Sequence, residues 1–152
     1  MVDEIKNKKE LKQFYILMIL LTLSYVPISY DNKNFECKML NSSRYYVCTV
    51  IKPTTTRGSR TVIISFNKNY IKNKIEVDYI GNEPLTGNKY ILAYVENKKY
   101  GRMFTECLLN DTILQPANGW DKLPYKDLQS KVDNYYSKIL NFGVKKYLPD
   151  CK

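Results

Sequence analysis

Two acidic side chains in the middle of the chain have the spacing of a paired catalytic site. Glu76 and Asp78 are two residues apart in a segment that alternates apolar and charged residues, so both carboxyl groups lie on one face of a strand. Such a pair can act as general acid and general base. Lys72 and Lys74 share that face, however, and the sequence favours the alternative of a salt-bridged surface in contact with water.

The other residue types exclude most familiar catalytic chemistry. The chain has no histidine, so acid–base work would depend on carboxylates, lysine, tyrosine or a free cysteine. It also lacks a nucleophile elbow, a P-loop and a dinucleotide-binding glycine motif. No catalytic residue is assigned, and the sequence predicts a protein that is not an enzyme.

The remaining candidates for metal binding or covalent chemistry are the four cysteines, Cys37, Cys48, Cys107 and Cys151. Without histidine there is no mixed Cys/His zinc site, and no Cys-x-x-Cys pair occurs, so neither a metal nor a cofactor is predicted. An even number of cysteines in an exported chain favours disulfides, and four allow three connectivities.

A hairpin register predicts one connectivity. Cys37 and Cys48 lie at equal distances from a loop centred between Ser42 and Ser43, which is the spacing of cross-strand partners in an antiparallel pair. By exclusion the other two cysteines, at 107 and 151, pair and tie the C-terminal tail to the sheet. The alternative is that one or both pairs stay reduced.

An apolar stretch near the N-terminus indicates the compartment. Phe14 to Ile28, FYILMILLTLSYVPI, follows a lysine-rich segment, and its apolar run from Phe14 to Leu23 has the length of a signal-peptide core. Residues 1–24 are therefore predicted to be a cleaved signal peptide or a retained anchor, which would contact the membrane through residues 14–28. Residues 25–152 would form one domain of the cell envelope, outside the cytoplasm, or be secreted after cleavage. The alternative is a buried core helix.

Beyond this stretch the chain is predicted to form strands first and a helix last. Apolar positions from Tyr125 to Leu140 recur every three or four residues, which predicts a C-terminal helix over residues 125–141. Alternation and β-branched or aromatic content predict strands at residues 35–40, 44–51, 61–66, 70–80, 89–96 and 103–109. The alternative for residues 103–109 is the start of a short helix. The predicted fold class is α+β: a curved antiparallel sheet or a small, partly open, OB-like barrel of about five or six strands, with one C-terminal helix.

Three segments resemble the second half of staphylococcal-nuclease-like domains. They are KIEVDY from Lys74 to Tyr79, KYGRMFTECLLND from Lys99 to Asp111, and the Gly119-Trp120 pair. The resemblance implies an OB-type barrel with helices, often exported, in which Arg102 would contact the scissile phosphate. The family's Asp-Gly-Asp-Thr metal motif, its second arginine and its catalytic base are absent from this chain, so the resemblance implies a degenerate barrel.

Five aromatic residues could form a contact face, since tyrosine and tryptophan suit interfaces. These residues are Tyr45, Tyr79, Tyr90, Tyr94 and Trp120. The alternative is that this chain uses tyrosine in place of phenylalanine to fill a core that is partly in contact with water.

Three functions follow as expectations. The first is a non-catalytic binding or structural module of the cell envelope, with an unidentified protein partner. The second is an inhibitor or immunity protein that neutralises a toxin or hydrolase. The third is a nucleic-acid binder, because a small barrel in a chain with a net charge of +9 could attract phosphates. Export makes nucleic acid the less favoured partner.

Overall fold

The computed structural model describes residues 2–54, 60–110, 112–143, 145 and 148–151, with side chains from Leu11 onward. It contains two helices and five strands in the described residues. They are α1 (Val2–Ser42), β1 (Arg44–Thr54), β2 (Thr61–Lys68), β3 (Ile71–Ile80), β4 (Lys89–Val95), β5 (Tyr100–Leu109) and α2 (Lys126–Leu140), with a short 3-10 helix at Glu96–Lys98.

The chain divides into two compact units. The first consists of Met1–Cys37 and Ile139–Lys152, and the second consists of Lys38–Lys138. The second unit contains the five strands and most of α2, and it holds the candidate site described below.

The strands of the second unit close into a barrel in the order β1, β2, β3, β5, β4. β1 closes the barrel because it has two partners: residues 44–49 pair with β4, and residues 48–54 pair with β2. Every pair is antiparallel except β3 with β5, which are parallel over residues 78–80 and 102–104. The predicted α+β barrel with a C-terminal helix is therefore confirmed, with one parallel pair in place of a wholly antiparallel sheet.

The barrel interior is filled by alternate side chains of the strands, because successive residues of a strand point to opposite faces. Three rings pack against one another at its centre: the centroid of Phe66 lies 5.2 Å from that of Tyr46 and 5.1 Å from that of Tyr94. The buried interior residues are Tyr46, Cys48, Val50, Val62, Ile64, Phe66, Val77, Tyr90, Leu92, Tyr94 and Met103.

Helix α2 packs on the outside of β5. Val132 and Tyr136 are 0% and 1% exposed, and the ring of Phe104 lies 5.5 Å from that of Tyr135 and 6.1 Å from that of Tyr136, between centroids. The helix predicted over residues 125–141 is thus confirmed to within one residue at each end.

The strand predicted at residues 35–40 is wrong, because α1 continues through these residues to Ser42. The alternation of Phe35 and Met39 with polar neighbours also fits a helix, since residues four apart share a helical face. Lys33, Glu36 and Met39 are all buried at a spacing of three, which is the helical period. The helix ends where both the N–H and the hydroxyl of Ser43 donate to the Met39 carbonyl.

The predicted disulfide pairing is also wrong. Cys37 is bonded to Cys151 within the first unit, while Cys48 and Cys107 are free and buried. Because residue 37 is helical, the hairpin that placed it opposite residue 48 does not exist. Cys48 instead lies inside the barrel between β2 and β4, where its thiol contacts the Tyr90 carbonyl at 3.4 Å.

The apolar stretch of α1 is exposed along its length. The large apolar side chains from Leu11 to Ile28 are between 44% and 65% exposed. By length and composition, the helix is long and apolar enough to cross a membrane. The alternative of a buried core helix is therefore wrong for these residues.

Candidate functional site

A groove of about 620 Å³ crosses the outer wall of the barrel where β1, β2 and the start of β3 meet the loop after β5. Its floor includes the outward-facing residues Val47, Thr49 and Ser65, and residues 113–117 form one wall. This volume lies within the range of roughly 300–1,000 Å³ found for ligand sites. The groove is therefore the first candidate for a binding site in this unit.

The side-chain amide of Gln115 joins the loop wall to the two strands below it. The paired residues of β1 and β2 begin with Cys48 and Phe66, and the next residues in that register, Val47 and Asn67, are not paired with each other. Instead the Val47 N–H donates to Gln115 Oε1, and Gln115 Nε2 donates to the Asn67 carbonyl at 2.6 Å. Gln115 thus takes the place of ladder hydrogen bonds where the strands separate.

Backbone hydrogen bonds hold the rest of the loop. The Asn69 N–H donates to the Ala117 carbonyl at 2.7 Å, and Tyr45 and Trp120 exchange a reciprocal pair at 2.8 and 2.9 Å. Between these contacts Gly119 has φ +69°, and a Cβ there would lie 2.6 Å from the Tyr45 carbonyl oxygen. Because the loop is bonded to the barrel at several points, the groove is formed before any ligand arrives.

The β2–β3 hairpin places an exposed aromatic ring beside the groove. Asn69 and Tyr70 both have left-handed backbones, with φ of 50° and 64°, as a two-residue hairpin turn requires. Tyrosine is unfavourable in this conformation by about 1–2 kcal/mol. Tyr70 is nevertheless 92% exposed, so its ring gains little from packing here, and backbone strain of this kind often marks a functional position.

The charge in the groove is positive. Lys72 of β3 and Lys89 of β4 line it, and none of the described residues that line it is acidic. Leu114 is 89% exposed on the loop wall. The groove therefore combines cationic, hydrogen-bonding and apolar groups.

The two carboxyl groups of the acidic pair, Glu76 and Asp78, lie in different surroundings. Glu76 is exposed, whereas Asp78 accepts a hydrogen bond from the Tyr100 hydroxyl. Burial, and then the hydrogen bond to Asp78, raise the pKa of Tyr100 to about 12, so this phenol stays protonated at neutral pH. Among the described residues, no ion pair joins either carboxylate to Lys72 or Lys74, and the predicted salt-bridged surface is wrong in that respect.

Arg102, the phosphate contact implied by the family resemblance, lies between the barrel and α2. Its side chain is 7% exposed, and it is opposite Asp78 in the parallel register. Its guanidinium donates to the Tyr135 hydroxyl at 3.1 Å and lies 5.6 Å from that ring centroid. These contacts connect β5 to α2, and the phosphate role stays a prediction.

The predicted aromatic contact face is wrong for three of its five residues. Tyr45, Tyr90 and Tyr94 are between 4% and 8% exposed, and Tyr79 packs partly buried against the barrel core. Trp120 is partly exposed, and its backbone pairs with Tyr45. The alternative, in which tyrosine fills the core, describes the buried residues because their rings supply apolar area while their hydroxyl groups reach polar partners. The Tyr90 hydroxyl, for example, accepts from the Leu85 N–H at 3.2 Å.

The two free thiols are poor nucleophiles at neutral pH. Burial raises the pKa of the Cys48 thiol far above its ordinary value and raises that of Cys107 to about 11. Since the thiolate is the reactive form, neither residue is positioned for covalent catalysis. In the described part of the chain, no cluster of cysteine and acidic side chains is arranged to hold a metal ion.

Sequence reasoning missed the residues that build the groove. The asparagines predicted a turn at residues 67–69, close to the observed turn at Asn69 and Tyr70, but nothing in the sequence indicated the exposure of Tyr70. Gln115 lies in a segment without periodicity, and no local pattern shows that its amide bridges two strands distant in sequence.

Comparisons of this chain with protein-family models, with curated proteins and with solved structures find no match.

Proposed function

We propose that this protein is a membrane-anchored, non-catalytic binding module of the cell envelope, with the barrel outside the cytoplasm. The observation that carries the proposal is the exposure of every large apolar side chain between Leu11 and Ile28. Exposed apolar area of this extent is costly in water and favourable in lipid.

The length and the charges of α1 support an anchor. The fifteen residues from Phe14 to Ile28 extend for about 22 Å as a helix. A stretch shorter than the bilayer core of about 30 Å is accommodated by local thinning and by flanking side chains such as that of Lys12. Lys6, Lys8 and Lys9 precede this stretch, which favours a cytoplasmic N-terminus and an exported C-terminal part. The disulfide between Cys37 and Cys151 fits an oxidising compartment.

The continuity of α1 favours a retained anchor over a cleaved signal peptide. The predicted cleavage site after Ser24 lies inside the helix, whereas a protease needs an accessible, extended backbone. The hydroxyl of Thr22 donates to the Met18 and Ile19 carbonyls, and that of Ser24 donates to the Leu21 carbonyl. Hydroxyl groups satisfied within their own helix are compatible with a lipid surrounding.

We further propose that the barrel is of the OB type. Five strands in the order β1, β2, β3, β5, β4, with β1 shared between β2 and β4 and β3 parallel to β5, support this assignment. Binding on an OB-type barrel uses the outer face of its strands and the loops beside them, and the groove described above lies on such a face. A degenerate nuclease-like origin agrees with the same topology.

Alkaline carbonate extraction tests the anchor. Membranes from cells that express the full chain should keep it in the pellet after extraction, and protease added on the outer side should degrade the barrel. Leu17→Asp with Leu20→Asp should move the protein to the supernatant, while the control Lys74→Asp, on the barrel surface, should leave it in the pellet. Recovery of the unchanged protein in the supernatant, or of a mature form that begins at residue 25, would overturn the retained anchor.

A further inference from the structure

We propose that the groove beside Tyr70 binds an extended acidic segment of a partner protein, in which acidic residues alternate with apolar ones. The inference deepens the proposed function, since it rests on the barrel being a binding module and names the chemistry of its ligand. It does not depend on the membrane anchor.

The charge of the groove selects for an anionic ligand. Lys72 is exposed at its rim and Lys89 is partly buried in it, and among the described lining residues there is no carboxylate to repel an acidic chain. Opposite charges within a few Å attract at a protein surface, where the effective dielectric constant is lower than in bulk water. Acidic side chains on one edge of a peptide would therefore be directed to the exposed Lys72 at the rim.

The remaining lining suits a peptide. Val47 lies on the floor of the groove, while Ile113 and Leu114 on the loop wall and the ring of Tyr70 offer apolar contacts. Thr49 and Ser65, also on the floor, can hydrogen-bond to peptide N–H or C=O groups. An extended chain presents its side chains to alternate sides, so a segment with alternating acidic and apolar residues can satisfy both kinds of surface.

The same features argue against a nucleic acid as the occupant. Binding to single strands usually combines several cationic contacts along the backbone with aromatic rings on which successive bases stack. This groove has two lysines and one well-exposed ring, that of Tyr70; Phe66 also lines it but is only 3% exposed, and the other apolar contacts of the groove are aliphatic. Aliphatic side chains serve peptide side chains better than base faces.

Fluorescence anisotropy with defined probes tests the inference. The full chain, in nanodiscs of zwitterionic lipid, is titrated into labelled octapeptides in which glutamate alternates with leucine, valine or phenylalanine. At least one of these peptides should bind saturably. A peptide that alternates lysine with leucine and a twelve-nucleotide oligothymidine should bind at least about tenfold more weakly, a difference of about 1.4 kcal/mol.

Matched variants locate the site. Lys72→Glu should weaken binding of the acidic peptide about tenfold or more, whereas Lys74→Glu makes the same charge change two residues along the same exposed face, outside the groove, and should have less than about twofold effect. Leu114→Ser should weaken binding, and Leu85→Ser, an exposed loop leucine that does not line the groove, should not. A denaturation curve for each variant shows whether it is folded.

Four outcomes would overturn the inference. They are the absence of saturable binding by every acidic peptide, equal losses in the Lys72 and Lys74 variants, equal losses in the two leucine variants, and tighter binding of the oligothymidine. A failed carbonate extraction leaves this result unaffected, because the peptide titration does not depend on where the chain resides in the cell.

Discussion

Val47 and Asn67 lie opposite each other at the next register position beyond the last paired residues of β1 and β2, yet they are joined through a side chain and not directly to each other. The Gln115 amide supplies one acceptor and one donor, as a peptide group in a strand would. The strands can therefore separate and leave room for the groove without losing hydrogen bonds.

Removal of this amide should destabilise the barrel. Gln115→Ala leaves the Val47 N–H and the Asn67 carbonyl without their partner, so we expect a loss of about 1–3 kcal/mol in the free energy of unfolding, measured by urea denaturation. Gln115→Glu keeps the acceptor but not the donor and should lose less than the alanine variant. Equal stability of all three proteins would contradict the bridging role.

A peptide map under non-reducing conditions should recover Cys37 linked to Cys151 and should find Cys48 and Cys107 as free thiols. The intact mass should then be about two hydrogens below that of the reduced chain. The closed loop spans 114 residues, so Cys151→Ala should destabilise the protein by about 4–5 kcal/mol in the chain-entropy treatment. Recovery of a Cys107–Cys151 peptide would contradict this pairing.

The helix α2 should tolerate a charge on only one face. Val132 is 0% exposed, and Val132→Asp should lower the free energy of unfolding by about 3 kcal/mol or more, because the carboxylate has no partner in the interface with β5. Ser130 is exposed on the same helix, so Ser130→Asp should change stability by less than about 0.5 kcal/mol. Similar melting temperatures for the two variants would contradict the packing of α2.

Stability should fall as the solution becomes alkaline. The pKa of Cys107 is raised from an ordinary value near 9.0 to about 11 in the folded protein, so only the unfolded chain ionises readily between these values. The thiol therefore contributes stability that is complete below pH 9 and is lost as the pH approaches 11. Urea denaturation of Cys107→Ala should show a shallower decline over this range than the unchanged protein. Identical slopes would contradict the shift.

The hairpin turn should become more stable without its aromatic residue. Glycine adopts the left-handed backbone of Tyr70 without steric cost, so Tyr70→Gly should raise the free energy of unfolding by about 0.5–1 kcal/mol, after the cost of glycine's freedom in the unfolded chain. The same variant should bind the acidic peptide more weakly, because it loses a ring at the groove. A less stable variant would show that the ring makes packing contacts that its 92% exposure does not indicate.

Local patterns were sufficient for most of the secondary structure. A strand or a helix that buries one face shows the period of its own backbone in its sequence. The alternation in β3 and the three-to-four spacing in α2 are such periods, and both predictions are confirmed. The apolar stretch from Phe14 to Leu23 was equally clear, because a run of apolar residues on all sides of a helix must leave water, either in a membrane or in a core. The alternation at residues 35–40 misled because six residues are too few to separate a period of two from a period of 3.6.

The groove and the disulfide between Cys37 and Cys151 could not be predicted, because both are formed by contacts between distant parts of the chain. By itself, the sequence determined the order and type of most elements, the absence of histidine-based chemistry and the presence of an apolar stretch near the N-terminus, whose exposure the structure then showed. Only the tertiary structure decided that Cys37 pairs with Cys151, that β3 and β5 meet in parallel, and that Gln115 holds the groove open. These features arise when residues tens of positions apart come together, and no periodicity within one segment records which distant partner that segment will have.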